Sequence, residues 1–90
     1  PRYYSLAEIE VQNYSKADSI YNALLAGADF AMLCKTCSCS KSKEKNGMLG
    51  SVNINHFSDD IKAQVAVLSL GEFTKPLAYG EHFIIYKRVE

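Results

Sequence analysis

Three cysteines, Cys34, Cys37 and Cys39, stand within six positions in the pattern C-x-x-C-x-C. Thiols that close together suggest metal or redox chemistry first. A structural zinc site takes four ligands, usually from two separated pairs. The only imidazoles are His56 and His82, and either joins the cysteines only if the fold carries it there, so spacing alone assigns no metal. An odd, clustered set is also a poor disulfide framework and leaves the redox compartment open. Cys34 and Cys37 are expected to be buried helix residues, and Cys39 to be exposed. Ser38, Ser40 and Ser42 show no Ser-His-Asp spacing, so hydrolase chemistry is unsupported. Nor is there a phosphate-cradling glycine loop or any sign of a cofactor.

Ten basic residues balance ten acidic ones for a formal net charge of zero. Binding nucleic acid through bulk charge needs an excess of Lys and Arg, so no nucleic-acid partner is expected. Lys41, Lys43 and Lys45 are interrupted by Glu44 and read as solvated surface. At 48% hydrophobic and 22% charged residues the chain is globular in composition. No apolar run reaches the ~18 residues of a membrane span, so no membrane insertion is expected. Ninety residues suffice for one domain, residues 1–90, expected to be monomeric. The start at Pro1 without a Met suggests a piece of a longer protein.

The elements that must position any site follow from periodicity. Arg2–Val11 alternates as a strand with one buried side, Tyr3, Ala7, Ile9 and Val11 lying opposite Tyr4, Leu6, Glu8 and Glu10. Ser15, with Asp18 three residues on, predicts the start of a helix that carries Ala17, Ile20, Tyr21, Leu24 and Leu25 on its apolar face and stops at Gly27. Asp29 caps a shorter helix with Phe30, Leu33 and Cys34 facing the core. Ser38–Asn46 reads as a long surface loop. Gly47–Val52 is a short strand, and Phe57, Ile61, Val65 and Leu68 mark a third helix that ends by Gly71. Glu72–Lys75 is expected as a strand, Pro76–Gly80 as a turn and His82–Val89 as the last strand. The order β-α-α-loop-β-α-β-β predicts an α+β domain, a mostly antiparallel four-stranded sheet flanked by helices.

Four segments in register carry a family resemblance. They are Ala26-Gly27-Ala28-Asp29-Phe30-Ala31 followed by Ser38, then Asn46-Gly47-Met48-Leu49-Gly50, then Leu68 to Pro76, then His82-Phe83-Ile84-Ile85. The chain resembles a parvulin-type peptidyl-prolyl cis-trans isomerase domain over nearly its whole length. That resemblance implies isomerisation of X-Pro bonds in unfolded or extended protein chains, without a cofactor. The alternative it admits is a catalytically weak or inactive peptide-binding module of a multidomain folding chaperone, and it favours the bacterial periplasm. An interaction domain without proline preference is a third reading.

An X-Pro bond rotates over a barrier of about 18–20 kcal/mol, and a hundred- to ten-thousandfold acceleration needs only ~3–6 kcal/mol of preference for the twisted amide. The requirements are an apolar cup for the pyrrolidine ring and polar groups that tolerate a rotating carbonyl. By the resemblance, Leu49, Phe57 and Ile61 form the cup, with Phe57 and Ile61 expected on one helix face, and Cys39, beside Ser40 in the loop, is a further expected substrate contact. Ser40 matches a loop position where the family has Asp or Cys. Glu8 stands where it commonly has a first-strand His. The last-strand His matches His82 or, in the other register, Phe83; the first is preferred. Ser40, His82 and Glu8 are therefore the residues expected around the amide. Phosphate-directed members carry a basic cluster after the first strand; here Gln12-Asn13-Tyr14-Ser15 precedes a single Lys16, so no phospho preference is expected.

Overall fold

A computed structural model describes residues 3–90; the expected strand start at Arg2 lies outside them. The elements are β1 (Tyr3–Val11), α1 (Tyr14–Leu25), α2 (Phe30–Cys37), β2 (Met48–Asn53), α3 (Asp59–Ala66), β3 (Leu77–Tyr79) and β4 (His82–Arg88), with short 3-10 turns at Lys41–Lys45 and Ile54–His56. The strands form one antiparallel sheet in the order β2-β1-β4-β3. This is the α+β architecture expected from the element order.

Alternation along β1 sorts its side chains between two cores. Ala7, Ile9 and Val11 pack with Ala17, Ile20, Leu24, Phe30, Cys34 and Ile85 beneath α1 and α2. Leu6 points the other way and packs with Ile54, Ile61, Val65, Leu68, Leu77, Ile84 and Tyr86 beneath α3. Both faces of β1 are covered, not one: α3 and the Ile54–His56 turn roof the second face. A central strand flanked by β2 and β4 has no edge to expose, and that suits its role as the carrier of Glu8 and Glu10.

Local chemistry explains most boundaries and several departures from expectation. Asn13, not Ser15, caps α1, its side chain accepting the Lys16 N–H at 2.9 Å; Asn is as good a cap as Ser, and here it starts the helix earlier. Asp18 instead accepts from Asn22 at 3.4 Å. Gly27, at φ 99°, closes α1 with a Schellman pair, its N–H to the Leu24 carbonyl and the Ala28 N–H to the Ala23 carbonyl, each at 3.0 Å. Leu25 faces solvent. Asp29 caps α2 as expected. Cys37, expected in the core, is exposed at the end of α2, whereas Cys34 is fully buried.

The third helix ends at Ala66, well before Gly71. Phe57 is not on it: Ser58 is the cap, its hydroxyl accepting the Ile61 N–H, and Phe57 precedes the cap. The segment expected as a strand at Glu72–Lys75 makes a single bridge, Phe73 to Lys87. The Thr74 N–H reaches the Tyr86 carbonyl at 2.8 Å, but the Tyr86 N–H returns to the Thr74 hydroxyl at 3.1 Å, and a side chain standing in for the backbone acceptor ends the ladder. The fourth strand lies instead at Leu77–Tyr79, inside the segment expected as a turn. The Gly80-Glu81 connection makes a hairpin that pairs Tyr79 with His82 and Leu77 with Ile84.

Candidate functional site

Glu8 sits mid-strand in β1, directly opposite Tyr86 of β4, and its side chain is almost wholly buried. A carboxyl group taken from water needs hydrogen-bond partners. Two hydroxyls supply them. Ser40 and Ser42 both donate to Glu8 Oε2, Ser42 at 2.6 Å. The segment carrying them is a 3-10 turn that Ser40 itself caps. Gly47 closes the turn: its N–H donates to the Ser42 carbonyl at 2.8 Å, and its carbonyl accepts the Glu8 N–H at 2.9 Å. At φ 79° a Cβ on Gly47 would meet the Glu8 backbone oxygen and lie 2.8 Å from Cys34 Sγ, so only glycine lets the loop lie this close to the strand. The Cys34 thiol donates to the Glu8 carbonyl at 3.4 Å. Burial, and more weakly the Glu8 charge, push that thiol above its ordinary value.

Directly paired residues of an antiparallel ladder point to the same face. Tyr86 therefore lies beside Glu8, and the Phe57 ring covers it at 5.1 Å between centroids, tilted by 35°. Burial, followed by the Glu8 charge, raises the Tyr86 phenol. Phe57, Ile61, His56, Ser58, Ala78, Tyr79 and Gly80 line a hollow of about 330 Å³ between the start of α3 and the β3–β4 hairpin. A second hollow of about 370 Å³ shares Ser58, Ile61 and Ala78 and runs on toward Pro76, and the two make one groove. A larger hollow of about 440 Å³ lies between α1 and α2, lined by Val11, Lys16, Ile20 and Thr36. It is on the opposite face of the sheet from Glu8 and has no aromatic wall, so the groove beside Phe57 is the better candidate.

Two residues further along β1 the same face carries a second polar group. His82 Nδ1 lies 2.6 Å from Glu10 Oε2 and 3.9 Å from Cys39 Sγ. The backbone fixes this arrangement. The Cys39 N–H donates to the Glu10 carbonyl at 2.7 Å, and the Glu10 N–H donates to the Ser38 hydroxyl at 3.1 Å. Burial, then Glu10, raises the Cys39 thiol above its ordinary value. Phe83 faces the other way and meets the Tyr14 ring edge-on at 5.5 Å.

A family profile described as the PPIC-type PPIase domain, or rotamase, matches residues 5–90. The chain belongs to the PPIC-type peptidyl-prolyl isomerase domain family. Such a domain takes a proline-containing peptide or protein as its partner. Periplasmic chaperone PpiD of Haemophilus ducreyi is 31% identical over 83 residues, covering 91% of this chain and 13% of that protein. The PpiD of Haemophilus influenzae is 36% identical over 73 residues, covering 80% and 12%. The chain thus spans about an eighth of the length of these relatives. The peptidylprolyl isomerase PrsA of Bacillus cereus superposes with a TM-score of 0.91 at 26% identity, over 98% of this chain and 34% of that one. The parvulin domain of PpiD from E. coli superposes at 0.82 with 21% identity, over 100% and 88%, and shares the fold.

Within this domain, the structure joins Ser40 to Glu8 but places His82 with Glu10 and Cys39. Phe57 and Ile61 line one groove although they do not share a helix. Leu49 is exposed at an irregularity in the β1–β2 pairing, where Leu6 faces Gly50 and Ala7 faces Met48, and it does not line that groove. Two contributors were not foreseen. Ser42 is the second donor to Glu8, and its alternation with Ser40 was the available signal. Tyr86 forms the floor under Phe57, signalled by its place two residues after Ile84 on the same strand face.

Proposed function

We propose that this domain binds X-Pro segments of unfolded or extended protein chains in the groove beside Phe57 and Ile61 and catalyses rotation about the X-Pro bond. The observation that carries the reading is the apolar groove wall, Phe57 on Tyr86, adjoining the Glu8–Ser40–Ser42 cluster on one sheet face. Phe57 and Ile61 grip the ring, and the exposed Leu49 on β2 serves as a contact for the flanking peptide. No bond is broken, so the polar groups need only favour the twisted amide. Ser40 can turn its hydroxyl, held by Glu8, to donate to the carbonyl oxygen or to the prolyl nitrogen, which has no N–H of its own and whose lone pair is freed as resonance is lost. His82 and Cys39 do not line the groove, and the rotation of the amide proposed here does not require them. Lys16 is the sole cation close after β1, which supports a preference for unphosphorylated substrate.

A second reading is a peptide-binding module with little turnover. A carboxylate already satisfied by two hydroxyls favours it, as does the naming of relatives as periplasmic chaperones. On that reading the parent protein works in the bacterial envelope, and the domain itself is monomeric. A protease-coupled assay with paired unphosphorylated and phosphorylated Ser-Pro peptides separates the two. Acceleration of the unphosphorylated peptide over the uncatalysed rate supports the isomerase. Measurable peptide affinity with an unchanged rate supports the module. Neither affinity nor acceleration overturns both.

A further inference from the structure

The Glu10–Cys39–His82 group lies outside the Glu8 cluster and the groove, and the isomerisation proposed above makes no chemical use of it. Its three donor atoms, a carboxylate oxygen, a thiol sulfur and an imidazole nitrogen, all fall within 4.8 Å of one another. The geometry separates two uses. A Cys-His-Glu relay would place the carboxylate on one ring nitrogen and the sulfur on the other. Here Glu10 Oε2 and Cys39 Sγ both converge on Nδ1, at 2.6 and 3.9 Å. Convergence on one nitrogen is the arrangement of a chelate.

We propose that Cys39 Sγ, His82 Nδ1 and Glu10 Oε2 form a three-ligand site for a borderline divalent cation such as Zn²⁺, with water completing a tetrahedron. Thiolate, imidazole and carboxylate together suit zinc and its neighbours in the first row, not magnesium or calcium. Bonds of roughly 2.0–2.3 Å in a tetrahedron put ligand atoms about 3.3–3.8 Å apart. Relative to His82 Nδ1, Glu10 must therefore draw back by under an ångström and Cys39 close by a few tenths, while the Glu10–Cys39 separation, within 4.8 Å, must also come into that range. The cation takes the place of the hydrogen between His82 Nδ1 and Glu10 Oε2; the ring carries its hydrogen on Nε2 instead, by exchange with solvent, and the thiol proton leaves to solvent.

The scaffold is stiff where a site needs it. Glu10 and His82 project from paired strands on one face, and the Cys39 backbone is pinned to the Glu10 carbonyl at 2.7 Å. Cys39 is exposed and His82 and Glu10 only partly covered, which leaves an entry path and room for the water. Since Cys39 adjoins Ser40, a bound cation would also tether the segment whose hydroxyls hold Glu8.

The test is titration of the reduced chain with Co²⁺, whose thiolate charge-transfer band reports sulfur ligation, followed by displacement with Zn²⁺. The expected result is one equivalent bound, a thiolate band lost in Cys39→Ser and kept in Cys37→Ser, and an apparent affinity lowered at least tenfold in His82→Ala and Glu10→Gln. Cys39 is exposed, so its serine variant should stay folded, which circular dichroism checks. No thiolate band in the unaltered chain, or a band that survives Cys39→Ser or disappears with Cys37→Ser, overturns the site.

Discussion

The Phe57 ring rests on Tyr86, 5.1 Å between centroids, and Tyr86 is the residue paired with Glu8 across β1 and β4. The apolar wall and the polar cluster are therefore two parts of one surface, joined through a single tyrosine. Replacing Phe57 by Ala removes the groove wall and uncovers Tyr86. We expect a loss of about 2 kcal/mol of stability, less than for a fully buried Phe, and at least a tenfold loss of affinity for a proline peptide. Urea unfolding and NMR titration measure the two separately. A stability loss with peptide affinity unchanged would place the ring in the core alone.

Glu8 depends on its two serines. Ser40→Ala leaves Glu8 Oε2 with Ser42 as its one hydroxyl donor and removes the cap of the 3-10 turn. The expected cost is about 1–2 kcal/mol for a hydrogen bond to a carboxylate at a partly covered site. The Ser40→Ala, Ser42→Ala double variant should lose more than the sum of the singles, because only then is Glu8 left without either hydroxyl. Additive losses would show that the two hydroxyls do not act together.

Glycine is required at one position and tolerated for milder reasons at another. Gly47→Ala must seat a methyl against the Glu8 backbone and Cys34 Sγ at positive φ. We expect a loss of 3 kcal/mol or more, on the order of a severe overpacking effect. Gly27 also has positive φ but open space around it, so Gly27→Ala should cost only about 1 kcal/mol. Thermal or urea unfolding ranks the two, and equal losses would contradict the close packing of loop on strand.

Alkali should destabilise the fold. The Cys34 thiol is raised above its ordinary 9.0 and the Tyr86 phenol above its ordinary 10.0, both mainly by burial. The folded state then holds protons that the unfolded chain releases, so the stability they contribute is complete below pH 9 and is lost as the pH rises from about 9 upward. The urea midpoint should fall across pH 9–11. Tyr86→Phe should flatten the upper part of that fall, and an unaltered slope would assign the effect elsewhere.

How far the sequence could be read depended on what kind of contact made each feature. The α1 and α2 faces follow from local spacing, and Ala17, Ile20, Leu24, Phe30 and Cys34 are buried as their periodicity predicts. Asp29 marks the start of α2 because capping is decided within four residues. The last hairpin was misplaced by a few positions because pairing is decided across strands. Thr74 breaks its ladder with a hydroxyl that also has a backbone alternative, and the Gly80-Glu81 turn sets the register of Leu77–Tyr79 from the other end. In the site, the meeting of Ser40 and Glu8 was anticipated only through family likeness. The position of His82 on Glu10 depends on a strand register that spacing does not contain.

The central claim is that a proline ring enters the groove beside Phe57 next to the Glu8 cluster. The most direct measurement is a two-dimensional NMR titration of the isotope-labelled chain with an unphosphorylated X-Pro peptide, with exchange spectroscopy on the peptide's cis and trans proline signals. The account predicts shifts at Phe57, Ile61, Ala78, Tyr79, Ser40 and Glu8, and cis-trans exchange cross-peaks that appear only with protein present. Shifts confined to Val11, Lys16, Ile20 and Thr36 on the opposite face, or none at all, would contradict it.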